Sequence, residues 1–182
     1  HHKRILQSSI AQTKHAITQV LSSVLESDKP KFIDFCFEHA LSASTDISAA
    51  VLYVGVFADT LHDLLPVEPS LFEHVKTSKL HEKVVQYFAS LVLLAKVPPS
   101  PPALATFTRS FIGHFVTSDE FAAVVLPSLD KAIMRSSEVG FCHLTQPLFE
   151  SLDCVDLSLV FASSKLLAHI LNGLKSTKEA VR

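Results

Sequence analysis

Apolar residues recur every three or four positions along almost the whole chain, and this period limits the fold more than any other feature. The most regular run is Ile47, Ala50, Val51, Val54, Ala58, Leu61 and Leu65, ended by Pro66 and Pro69. Such spacing places side chains on one face of an α-helix, whereas a half-buried strand requires alternation. With only 4 Gly in 182 residues, sites for tight hairpins are few. The pattern predicts an all-α protein in which each helix buries one face.

The same period runs through the neighbouring segments. Ile10, Ile17, Leu21 and Val24 share a face of a first helix, and the polar SDKP at 27–30 ends it and opens a second, with Asp28 as a cap. Phe32, Cys36 and Ala40 line that second helix, beside Ile33 and Phe37. Between Ser70 and Lys96 one broken helix or two are predicted, with Val84, Phe88, Leu91 and Ala95 as the stripe. Leu104, Phe107, Phe111 and Phe115 mark the next helix. Thr117 and Glu120 then have the spacing of a capping box, opening a helix with Phe121, Val125, Leu129 and Ala132 inward and Pro127 inside it. Two further helices are predicted from about Glu138 to Leu152 and from Leu157 to Leu171, with Gly173 as an αL cap.

PPSPP at 98–102 is the strongest break. Proline lacks the N–H and restricts its predecessor, so this stretch reads as a stiff, non-helical connector. DKAIMRSSEVGF at 130–141 and AHILNGLKSTKEAVR at 168–182 share a layout of apolar helix, short basic turn with serine, then a capped helix start. Aligning Ser136 with Ser176 gives an offset of 40 residues (176 − 136), within the ~40–47 of HEAT and armadillo repeats. The expected architecture is a right-handed superhelix of helical pairs, an α-solenoid. One continuous array would run over 3–182, with first helical pairs at about 3–97, the connector at 98–102, and further repeats at 103–182. Ser176 and Glu179 repeat the capping-box spacing in KSTKEAVR, so the last repeat reads as cut in its middle, and His1–His2 as a tag remnant.

Several function classes have little to stand on. Lys plus Arg is 16 and Asp plus Glu 18, a net charge of −2, so no overall field attracts nucleic acid. The most apolar run, VVQYFASLVLLA at 84–95, has 12 residues, against the ~20 of a spanning helix. Cys36, Cys142 and Cys154 are an odd number, far apart and in apolar surroundings, as in reduced thiols of a cytosolic protein. Cys36 with His39 and Cys142 with His143 lack the paired short spacings of a zinc site, and Gly55, Gly113, Gly140 and Gly173 stand singly, so no phosphate-cradling loop forms.

FVTSDEFAAVVLPSLDKAIMRSSEVGF, at 115–141, resembles the family of giant general-control translational activators, through Thr117, Glu120, Phe121, Leu126-Pro127, Lys131, Arg135-Ser136 and Glu138. Ser137 stands where the family pattern has proline. The resemblance extends over about 111–176, and residues 3–110 join it through their helical rhythm. It implies the N-terminal HEAT-repeat part of a fungal-like, cytosolic activator that binds ribosomes and activates the amino-acid-starvation kinase of translation initiation factor two. It further implies that other regions of the full-length protein meet that kinase and an ATP-binding-cassette protein, with no membrane and no specific DNA as partners. The matched positions are capping, kinking and turn residues, so the implied role is a scaffold, without catalytic residues, cofactor or metal.

Candidate partner-binding residues are Lys131, Arg135, Lys175 and Lys178, because turns at equivalent repeat positions stack along one edge of a solenoid and would present a ladder of positive charge. A second basic strip, Lys76, Lys79 and Lys83 with His74 and His81, is blunted by Glu73 and Glu82. Two alternatives compete with the translational reading. One is a HEAT or armadillo adaptor in a transport or signalling complex. The other is a metal phosphohydrolase of the HD type, from His62-Asp63 with His39 and Asp130 or Asp153; yet Leu61 and Leu65 face inward on that helix, which turns His62 and Asp63 outward as an ordinary solvated pair.

Overall fold

Two rows of helices account for the apolar period. The computed structural model describes residues 2–42, 46–97, 99–135, 158, 167–168, 171–172 and 175. Within 2–135 the helices are α1 (His2–Ser23), α2 (Lys29–Ser42), α3 (Ile47–Asp63), α4 (Pro69–Thr77), α5 (80–92), α6 (101–115) and α7 (118–135). No strand occurs among the described residues. In one row α3 lies between α1 and α6; in the other α2 packs on α4 and α5, and α5 on α7. The α2–α3 contact joins the rows. This all-helical stacking of pairs is consistent with an α-solenoid. The helices predicted beyond 135, with the Gly173 cap, lie outside the described residues apart from a few isolated positions.

Phenylalanines fill the space between the rows. Phe107 stacks on Phe88 with centroids 4.7 Å apart and on Phe111 at 5.2 Å; Phe111 continues to Phe115 at 5.3 Å, and Phe115 to Phe72 at 4.3 Å. Phe37 joins the spine edge-on to Phe111 and meets Phe57 in a T-shape at 5.2 Å. Offset and edge-on rings add to the area term that drives burial. The stripe Leu104, Phe107, Phe111, Phe115 is buried as its spacing predicts, and so are Phe121, Val125, Leu129 and Ala132.

Where α3 crosses α6 the backbones nearly touch. A Cβ on Gly55 would lie 2.8 Å from the Phe107 nitrogen and 2.9 Å from its Cα. Glycine here serves close approach, not an unusual φ.

Polar ties link each helical pair to the next at a near-constant sequence separation. Lys29 Nζ donates to Glu68 39 residues on, His74 meets Asp34 at 40, His81 meets Glu120 at 39, and Lys14–Asp59 and Lys83–Glu38 each span 45. These separations of 39 to 45 residues are consistent with the ~40–47 of HEAT and armadillo repeats, in a part of the chain where the sequence has mainly helical rhythm. Lys29, at the N-terminal turn of α2, is the most deeply buried of these cations. The hydrogen bonds it donates to Glu26 and to Glu68 raise its pKa and offset an unfavourable place for a cation, next to the positive end of a helix.

Three expectations need correction. Pro101 and Pro102 are not part of a non-helical connector; they are the first residues of α6, where a missing N–H costs nothing because those donors have no helical partner. Pro99 is buried and the Ser100 N–H donates to Ser48 Oγ at 2.9 Å, so the connector is held by α3. Second, Leu91 does not continue the α5 stripe: it is 56% exposed, while Val92 and Leu93 are buried. A π turn over Phe88–Val92, closed by Leu93 N–H to the Phe88 carbonyl, inserts a residue and rotates the face that follows. Third, His62 is only partly solvated, as described below. The segment 70–96 is two helices, parted at Lys79, whose φ of 59° is left-handed.

Candidate functional site

α7 is set by its first turn. Thr117 Oγ1 accepts from the Glu120 N–H at 3.3 Å while Glu120 Oε2 accepts from the Thr117 N–H at 2.9 Å, so the predicted capping box forms. Glu120 also presents Oε1 to His81 Nε2 at 3.0 Å, tying α7 to α5. Burial disfavours its charge, but the Thr117 hydrogen bonds and His81 outweigh that and lower its pKa. A π turn over Phe121–Val125 precedes Pro127. The widened turn brings the helix past a residue that cannot donate and whose ring would crowd the carbonyl four residues back.

Phe121, Val125, Leu129 and Ala132 turn inward, which leaves Lys131 and Arg135 outward, one helical turn apart. Pro127, Asp130, Lys131, Met134 and Arg135 line an open hollow of about 290 Å³. No salt bridge among the described residues engages Lys131 or Arg135, and Met134 beside them is 65% exposed. Arg135 also sits in the last turn of α7, where a cation meets the negative end of the helix dipole. Lys175 is exposed in a turn, its N–H donating to the Asn172 carbonyl at 3.1 Å. Lys178 lies outside the described residues. The structure therefore brings together Lys131 and Arg135 and leaves the proposed ladder to Lys175 and Lys178 untouched.

The other basic strip is dispersed by its neighbours. Lys76 Nζ lies 5.3 Å over the Phe72 ring, Lys79 pairs with Glu82, and Lys83 with Glu38. His74 and His81 face Asp34 and Glu120. Each cation thus has a contact within the fold, and carboxylates beside Lys79, Lys83 and the two histidines dilute the positive charge of the strip.

His62 and Asp63 go to different partners. Asp63 binds Lys14 of α1, which also binds Asp59 at 2.7 Å; burial opposes the lysine charge, but the two carboxylates raise its pKa. The His62 ring lies flat on His114 of α6, centroids 3.7 Å apart, with the Phe72 edge at 6.3 Å. His39, the upstream residue of the HD pattern, stacks on Phe35 instead. No three His, Cys, Asp or Glu among the described residues are placed to hold one metal ion. Cys36 is buried on α2, and burial raises its pKa against the opposing hydrogen bond from Tyr53, so it remains a packed thiol. Cys142, His143, Asp153 and Cys154 lie outside the described residues. No helix among the described residues is long and apolar enough to cross a membrane.

Sequence reasoning missed Lys29, Gly55, the His62–His114 stack and the second role of Glu120. Each depends on a residue some forty or more positions away, and only the glycine within an otherwise regular helical run was a signal.

A family model described as the stalled ribosome sensor GCN1 N-terminal matches residues 81–182. The chain is 30% identical over 188 aligned positions to the eIF-2-alpha kinase activator GCN1 of Saccharomyces cerevisiae; the match covers all of this chain and 7% of that protein. No solved structure matches the chain.

Proposed function

The chain belongs to the stalled ribosome sensor GCN1 N-terminal family, and from that premise we propose that it is a non-catalytic HEAT-repeat scaffold segment of a cytoplasmic translational activator. The segment associates with ribosomes and helps bring the activator to the state in which it switches on the eIF-2-alpha kinase. Other regions of the full-length protein meet the kinase and an ATP-binding-cassette partner. The array is one right-handed superhelix over 3–182, with 98–102 marking a seam between repeats.

The observation that carries this reading is the family match itself, which runs from α5 to residue 182 and includes the hollow on α7. Lys131 and Arg135, exposed and outside the ion-pair seams, support that edge as the ribosome-facing one. Side chains here serve capping, packing and inter-repeat pairing, the expected investment of a scaffold.

The test is made in the full-length protein. Lys131→Glu, Arg135→Glu, Lys175→Glu and Lys178→Glu together are expected to reduce the share of protein in ribosomal fractions of a gradient and to lower eIF-2-alpha phosphorylation on amino-acid withdrawal. Unchanged ribosome association with unchanged phosphorylation would remove this edge from the function.

A further inference from the structure

The His62–His114 stack belongs neither to a basic edge nor to the apolar spine. It closes the last turns of α3 and α6, the two helices whose backbones approach at Gly55 and Phe107. Two imidazoles lie face to face at 3.7 Å with their planes 7° apart. As neutral rings they stack like any aromatic pair; as two cations at that distance they repel.

What surrounds them decides whether the fold can hold both charges. From α3, Asp59 and Asp63 are the near carboxylates, and both already bind Lys14 of α1. From α4 the neighbour is the edge of Phe72, whose face holds the Lys76 ammonium. α6 itself contributes Phe115, stacked on the same Phe72. Two carboxylates share one lysine, which leaves a single net negative charge beside the stack, enough for one imidazolium and not for two; the remaining contacts are aromatic or cationic.

We propose that the His62–His114 stack is an acid-sensitive latch on the α3–α6 seam, closed when at least one ring is neutral and opened when both are protonated. Opening parts the last turns of the two helices at the boundary between helical pairs, and so changes how one pair sits on the next. Burial, and then the charge of His62, lower the pKa of His114, outweighing Asp59 and Asp63. An imidazole that is harder to protonate folded than unfolded stabilises the fold fully above the unfolded value of ~6.5. That stability falls as pH drops through 6.5 toward the lower folded value, and is constant below it.

Thermal midpoints would be measured between pH 7.5 and 5.5 for the chain and for His62→Asn, His114→Asn and the double variant, with exposed His15→Asn as control. The latch predicts a midpoint that falls with pH in the wild type and in His15→Asn. It predicts a shallower fall in either stack variant, the shallower of the two in His114→Asn, which removes the buried imidazole itself, and no further flattening from His114→Asn to the double variant. A wild-type slope equal to that of the double variant overturns it. Imidazole titration by NMR on the unaltered chain stands independently of whether the variants fold. The latch predicts two coupled steps, the second below the ordinary histidine range, with faster amide exchange in the last turns of α3 and α6 after that step. Two independent titrations in the ordinary range overturn it.

Discussion

Gly55→Ala separates two opposed expectations. In a helix interior, alanine is favoured over glycine by about 0.8–1 kcal/mol, so propensity alone predicts a more stable protein. The crossing with α6 predicts the reverse. The new methyl would lie 2.8 Å from the Phe107 nitrogen, 2.9 Å from its Cα and 3.0 Å from the Thr106 carbonyl carbon. Optimal heavy-atom separations are ~3.5–4.0 Å, so α6 must retreat by roughly 0.5–1 Å. The obstacles are backbone atoms, so no side chain can swing aside. A gap of that size forfeits about a quarter to a half of each dispersion contact along the seam, which includes Phe107 and its stacks on Phe88 and Phe111. Overpacking of this kind costs about 1–3 kcal/mol, and after the propensity gain a net loss of ~0–2 kcal/mol remains. Each kcal/mol is worth about 2–4 °C in a chain of this size. Urea denaturation with thermal melts measures it, with Gly55→Val expected to be worse than Gly55→Ala. A Gly55→Ala protein more stable than the wild type by the full propensity gain would refute the close-crossing argument.

Other outcomes follow from the same geometry. Thr117→Ala removes the cap of α7 and is expected to cost about 1 kcal/mol, read as a lower urea midpoint at unchanged slope. Glu120 has a depressed folded pKa, so its contribution is present above the unfolded value of ~4.3 and is lost as pH falls through the folded one; Glu120→Gln should flatten that part of the acid limb in a pH series of melts. Phe111→Ala deletes a fully buried ring at the branch of the aromatic spine and should cost about 3–5 kcal/mol, seen as loss of the cooperative melt or of soluble protein.

Local chemistry was legible in the sequence. Asp28 does precede α2, the Ile47–Leu65 stripe does define α3, and Thr117 with Glu120 does cap α7, because each signal lies within one or two turns. Outward placement of Lys131 and Arg135 was legible for the same reason, through the inward positions of Phe121, Val125, Leu129 and Ala132. The fate of Lys76, Lys79 and Lys83 was readable only in part: Glu82 is local, but Glu38 lies 45 residues away. Leu91 illustrates a different limit, since one inserted residue in a π turn rotates a stripe that is otherwise regular. Pro101 and Pro102 carry both meanings in the sequence, breaker and helix opener, and the Ser100–Ser48 contact accompanies the second. Family membership rested on a short capped stretch around 115–141, and the family match extends that to 81–182.

Ribosome association by this segment is measured by co-sedimentation of the purified chain with ribosomes, at low and at physiological salt. The comparison is with the variant reversing Lys131, Arg135, Lys175 and Lys178. Binding carried by phosphate contacts weakens steeply with salt, so the account predicts wild-type binding that is strong at low salt, weaker but still measurable at physiological salt, and lost at both in the reversed variant. Absence of wild-type binding at both salt concentrations, or equal binding by the two proteins, would contradict it.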